Sequence, residues 1–116
     1  MAARLTLPTI EKGATYNHVL FWKDKQKTAI DLTGVTAKMQ VRETVESTVV
    51  LLELSTENGG LTIVPLDGKI TLHVSAQQTT NLDGYGGVYD LELYYTDNSI
   101  IRLIEGQIAF KPEVTR

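Results

Sequence analysis

The sequence predicts an all-β protein, an antiparallel β-sandwich of seven to nine strands with one short helix. Three observations predict it. Apolar and polar residues alternate with a period of two along most of the chain, most cleanly in VTAKMQVR at 35–42. Clusters of Gly, Asn, Asp and Pro separate the alternating runs at short, regular intervals. A single segment, SAQQTTNL at 75–82, has a helical signature.

Taken in order, Arg4 to Ile10 reads as a short edge strand interrupted by Pro8, which has no N–H for a ladder. Ala14 to Lys23 is a strong strand, with Tyr16, His18, Leu20 and Trp22 on one face and Thr15, Asn17, Val19, Phe21 and Lys23 on the other. Asp24 to Thr28 is a polar turn. Asp31-Leu32-Thr33-Gly34 reads as a loop closed by a local Asp side-chain bond and a glycine. Val35 to Arg42 is half-buried, with one apolar face. Thr48 to Ser55 follows, with Val50, Leu52 and Leu54 in phase, and then the turn Asn58-Gly59-Gly60.

Leu61 to Val64 stops at Pro65, Asp67-Gly68 turns, and Lys69 to Val74 puts Ile70, Leu72 and Val74 on one face. Ser75 caps the short helix, with Gln78 in the capping-box position. Val88 to Thr96 places Tyr89, Leu91, Leu93 and Tyr95 on one face, opposite Asp90 and Glu92. Asp97-Asn98-Ser99 is a hairpin turn, and Ile100 to Lys111 is the last strand. Its apolar phase slips between Ile101/Leu103 and Ile108/Phe110, which implies a bulge, expected at Gly106.

With 116 residues the chain is one domain's worth, and residues 1–116 are read as a single domain. Eleven Lys and Arg against 14 Asp and Glu leave a net charge of −3. That balance, with its basic residues scattered, argues against a nucleic-acid partner. The absence of cysteine removes disulfides, thiolate chemistry and cysteine-based zinc sites. No signal-peptide pattern opens the chain, and no apolar run approaches the ~20 residues of a membrane helix. The expectation is a soluble protein made in the cytoplasm, with no membrane partner.

Convergent chemistry is hard to find. His18 and His73 each stand alone in a strand. His73, on the polar phase, reads as a solvated imidazole, and His18 as a hydrogen-bonded core or edge residue. Asp90 and Glu92 point the same way, yet read as a solvated face with nothing nearby to raise one pKa. The aspartates at 24, 31, 67, 83 and 97 sit in turns, where aspartates mostly bond their own backbone. No D-x-D-x-D-G loop is present, the glycines of DGYGGVY do not precede a helix, and no serine lies in a nucleophile elbow. The expectation is therefore no catalytic residue, no metal and no cofactor.

Two strands carry apolar residues in both phases. Val19 and Phe21 fall outside the chosen core face of their strand, and Val49 and Leu51 are out of phase with Val50, Leu52 and Leu54. Either these strands are covered on both sides or re-phased by a bulge, or the four residues form a protein-binding patch. Val19, Phe21, Val49 and Leu51 are the candidate interface residues.

NLDGYGGVYDLEL at 81–93 resembles the turn into strand F of immunoglobulin domains, with Tyr89 as the corner tyrosine and Leu91 where antibodies place a cysteine. The order of IEKGATYNHVLFWKDKQKTAIDLTGVTAKMQVRE, and the ending EGQIAFKPEVTR, resemble small immunoglobulin-like proteins from the structural regions of tailed bacteriophages and prophages. They are similar as well to the N-terminal domain of phage baseplate upper proteins. The likeness is clearest over residues 10–43 and 84–116. It implies an immunoglobulin-like fold and a virion component of the tail, baseplate or fibre-attachment region. Such a component docks with other virion proteins in several copies around a symmetric particle. Lys12, Gly13, Asp31, Leu32, Thr33 and Gly34 are the matching positions and are read as fold-defining; no catalytic residue carries over. Two rival roles are a capsid decoration protein of the same fold and a carbohydrate-binding module using Tyr85, Tyr94 or Trp22.

Overall fold

The structure, a computed structural model, describes residues 3–115. The strands are β1 (Ala3–Arg4), β2 (Ile10–Glu11), β3 (Tyr16–Phe21), β4 (Thr36–Arg42), β5 (Leu52–Ser55), β6 (Leu61–Val64), β7 (Lys69–Val74), β8 (Gly86–Tyr94) and β9 (Ile100–Lys111). A 3₁₀ turn, Pro65–Asp67, joins β6 to β7, and one helix, α1 (Ala76–Thr80), lies between β7 and β8. The larger sheet has the order β1-β9-β8-β4-β5, with β2 also on β9; the smaller has the order β3-β7-β6. β1 and β2 run parallel to β9, and every other pair is antiparallel.

Both sheets turn their apolar phases toward each other, which makes the architecture a β-sandwich. Ala37, Met39 and Val41 of β4 stand directly opposite Leu93, Leu91 and Tyr89 of β8, so each pair shares the inner face. Ile70, Leu72 and Val74 of β7 are fully buried in the same cluster. Each such side chain stabilises the fold by roughly 1.5–3 kcal/mol relative to exposure.

Local chemistry sets the turns. Asp24 Oδ1 accepts from the N–H groups of Gln26 and Thr28. Asp31 Oδ1 accepts from both the N–H and the hydroxyl of Thr33, and Gly34 follows at φ +79°. Asp97 Oδ1 does the same for Ser99. These bonds hold the carboxyls of Asp31 and Asp97 below the ordinary carboxylate value. Asn58 Oδ1 accepts from the N–H of Ser55 and of Gly60, tying β5 to β6. The capping box of α1 is complete, Ser75 Oγ accepting from Gln78 N–H and Gln78 Oε1 from Ser75 N–H. Buried Thr79 then pins α1 to the turn before β3, donating to the Ala14 carbonyl at 2.9 Å and accepting from Gly13 N–H at 3.1 Å.

Four expectations need correction. The run from Arg4 to Ile10 is two short strands parted around Pro8: Leu5 and Leu7 N–H still bond Glu105 and Gln107 of β9, and the run breaks at Pro8, which has no N–H to give, while Leu7 buries its side chain. The strand expected from Thr48 begins only at Leu52. β4 ends at Arg42, so residues 43–50 have no partner strand to follow; Leu51 N–H rejoins β4 at the Val41 carbonyl, and Val50 lies exposed. The bulge falls at Leu103: Leu91 faces Ile104 and Glu92 faces Arg102, which leaves Leu103 unopposed. Gly106 has another purpose. A Cβ there would stand 2.1 Å from the Leu5 carbonyl oxygen, so only glycine lets the N-terminal segment approach.

The last correction concerns the corner tyrosine. Tyr89 is buried, but its phenol donates to the Leu5 carbonyl at 2.6 Å, far from the backbone just upstream where an immunoglobulin corner tyrosine bonds. Tyr16 donates to the Pro8 carbonyl at 2.9 Å. Burial pushes both phenols up to about 12, and for Tyr89 the proximity of Tyr16 adds to the effect.

Tyr89→Phe removes one of these donors, and the expected loss is about 1–2 kcal/mol in urea unfolding. The folded pKa values lie above the ordinary value of 10.0, so the phenols contribute fully below pH 10 and lose that contribution as pH rises toward 12. The wild-type urea midpoint should therefore fall across this window, and fall less in Tyr16→Phe/Tyr89→Phe. Tyr94, also held near 12, is present in both proteins and cancels from the comparison. Equal slopes in the two proteins would contradict the assignment.

Candidate docking surface

One side of the sandwich is open. β3 is the edge of the smaller sheet and, among the described residues, pairs only with β7. On the same side, β1 meets β9 only from Ile104 onward, so among the described residues Ile100–Leu103 have a strand partner on the β8 side alone. Between these edges runs a groove of about 330 Å³ lined by Leu5, Leu20, Trp22, Ile70, Ile101 and Leu103 among others. Ile70 is fully buried beneath it, whereas Leu5 and Ile101 reach solvent. Two unpaired strand edges flanking apolar side chains make a surface suited to contact with another polypeptide.

Phe21 joins this groove to the outer face of the smaller sheet. It lines the groove, stands opposite Lys69 of β7, and Lys69 stands opposite Val64 of β6. Val19 lies two residues away on the same face. Phe21 is 58% exposed and Val19 41%. Lys23 Nζ sits 5.7 Å from the centroid of the Phe21 ring. The structure thus brings Val19 and Phe21 together.

Val49 and Leu51 lie elsewhere. Thr36 pairs with Tyr94, which pairs with Ile100, placing the start of β4 at the groove end of the sheet. Arg42 pairs with Val88 at the other end, and residues 43–51 continue from there. Seven residues of β4 separate the two ends by about 20 Å. Val49 is 63% exposed in that loop, while Leu51 packs partly buried against the core. Leu5, Ile100 and Val45 are exposed apolar residues that strand phase did not single out. Ile100-Ile101 carried a readable signal, two apolar residues in opposite phases at the start of a strand.

The outer face of the larger sheet is polar. Arg102 reaches Asp90 at 3.4 Å, Glu105 at 3.7 Å and Glu92 at 3.8 Å, and Arg4 reaches Glu105 at 3.2 Å. Asp90 is raised above its ordinary value, chiefly by burial and then by the charge of Glu92, so something nearby does raise one pKa of this pair. Exposed ion pairs of this kind contribute little to stability. His73 Nδ1 lies 2.6 Å from Asn17 Oδ1 across the β3–β7 pair, and His18 is half-buried on the opposite phase. Among the described residues no group of three His, Cys, Asp or Glu is placed to hold a metal ion. No helix of the described residues is long and apolar enough to cross a membrane.

The aromatic residues do not form a platform. Tyr85 and Tyr94 flank the two ends of β8, about 30 Å apart at the rise of a strand, and Trp22 packs against the core. Tyr94 donates to Glu92 at 3.0 Å. In comparisons with known proteins, no family model matches the chain, and no curated protein matches it.

Val19→Ser and Phe21→Ser should each lower stability by less than about 1 kcal/mol, since both side chains already face water. Leu51→Ser should lower it by more than about 1.5 kcal/mol through lost packing. Thermal unfolding of the three variants checks the order; a Phe21→Ser loss as large as that of Leu51→Ser would place Phe21 in the core.

Proposed function

We propose that the chain is a non-catalytic structural protein of a tailed bacteriophage or prophage virion, an immunoglobulin-like domain of the tail, baseplate or fibre-attachment region that acts by docking with other virion proteins. The observation that carries the docking part is the open apolar side between β3 and β9. The sandwich places exposed apolar residues beside unpaired strand edges there, while its polar groups serve turns and surface ion pairs.

Strand order supports the immunoglobulin-like part. β3-β7-β6 follows the order B-E-D, and β9-β8-β4-β5 follows G-F-C-C′. The short helix α1 precedes strand F in this correspondence, and Leu91 fills the inward position two residues after Tyr89. The positions Gly13, Asp31, Thr33 and Gly34, which carry the resemblance to phage proteins, all serve turns or contacts between elements. That is the use expected of fold-defining positions.

The virion assignment is tested by mass spectrometry of particles purified after prophage induction in the strain that carries this sequence. Peptides of this chain are expected in fixed ratio to the other structural proteins. A low copy number matches a tail or baseplate ring, and a copy number on the scale of the shell identifies a capsid decoration protein. Absence from particles that contain the other structural proteins would overturn the assignment.

A further inference from the structure

The loop at residues 43–51, ETVESTVVL, contains two glutamates and no basic residue. It presents Val45, which is 78% exposed, together with exposed Val49 and Val50. The loop is held in one shape. Arg42 Nη1 donates to the Ser47 carbonyl at 2.7 Å, and Ser47 N–H donates to the Thr44 carbonyl. Arg42 is thereby turned into the loop, and its tip is apolar and acidic.

The groove at the other end has the reverse character. Phe21 is bracketed by Lys69 across the strand and Lys23 over its ring, with Lys25 and Lys27 in the adjoining turn. Asp24, Asp67 and Asp31, which follows the Ile30 bonded to Trp22, are the acidic neighbours, so four lysines against three aspartates leave this rim at 4 − 3 = +1. The Asp24 carboxylate is already engaged by two N–H groups of its own turn. Arg102 also lines the groove, and its guanidinium is shared among three carboxylates.

We infer that copies of this chain associate head to tail, the acidic apolar loop 43–50 of one copy seating on the lysine-rimmed apolar groove of the next. The two surfaces lie at opposite ends of the same sheet, so one molecule engages two neighbours at once. A contact between two different patches is heterologous, and it propagates into a ring or a filament. The occupant of the groove is a second copy because this chain itself displays a preorganised apolar segment of opposite charge. Few side chains meet, so the contact is weak for an isolated pair and gains strength where a particle holds copies side by side. The inference shares with the docking reading only the identity of the groove as a protein contact.

Sedimentation velocity of the full chain at low salt tests it. The sedimentation coefficient of the wild type should rise between about 10 µM and about 1 mM, and the rise should shrink in high salt. Glu43→Lys/Glu46→Lys and Lys23→Glu/Lys69→Glu should each remain monomeric throughout, with melting temperatures near that of the wild type. Mixed in equal amounts, the two reversed variants regain matching loops and grooves and should assemble as the wild type does. A monomeric wild type at about 1 mM overturns self-association, as does a mixture that stays monomeric or reversed variants that assemble unaided. None of these outcomes touches the particle experiment, which tests virion docking separately.

Discussion

The sandwich depends on how its first residues are held. Nothing in a two-strand pairing of two residues each would keep the N-terminal segment in place, since β1 and β2 are far below the length at which a strand is stable alone. Two phenols and two buried side chains do it instead. Tyr89 and Tyr16 donate to the carbonyls of Leu5 and Pro8, and Leu7 and Ile10 bury between the sheets. Gly106 makes the approach possible by offering no side chain where the Leu5 carbonyl must lie. The segment then covers the upper part of the β9 edge with Leu5, Leu7 and Lys12 N–H groups bonded to Glu105, Gln107 and Lys111.

The same arrangement creates the open side. Because the ladder with β9 starts at Ile104, the bulge at Leu103 marks the boundary between a covered and an uncovered edge. Below that boundary Ile100 and Ile101 reach solvent, and β3 faces them across the groove without an intervening strand. A fold that finished the cover would bury these residues and gain hydrophobic stabilisation. One that leaves them open exposes its edges to unwanted pairing. The lysines at 23, 25, 27 and 69 around Phe21 are the residues that natural edges use to limit that risk.

Much of this fold was legible from residue order alone. Strands at Leu61–Val64, Lys69–Val74 and Ile100–Lys111 fall where alternation placed them, and the capping box of α1 forms with both its bonds. These features are local: a period of two, a Pro, a Ser with a Gln three residues on. The misreadings involve partners distant in sequence. Gly106 looked like a bulge because the residue 101 positions away that explains it, Leu5, leaves no mark on its neighbours. Leu51 looked like the companion of Val49 because phase alone cannot tell that the strand starts late and that Leu51 turns to the core. Of the four interface candidates, Val19 and Phe21 meet on one face, and this was foreseeable from their i, i+2 spacing. The groove itself was not, since Leu5, Leu20 and Ile101 come together only through sheet topology.

The distribution of polar groups accounts for the shape of the turns and the first strands. Three turn aspartates bond their own backbone, Asn58 ties one hairpin, Thr79 ties the helix to the turn before β3, and the phenols hold the first strands. Arg102 gathers three carboxylates on an outer face, and Arg42 is spent on the shape of its loop. Buried side-chain polar atoms among the described residues all have partners. Here the polar side chains with assigned partners work on shape, while exposed apolar residues include Phe21 and Ile101 at one end of the sheet and Val45 and Val49 at the other.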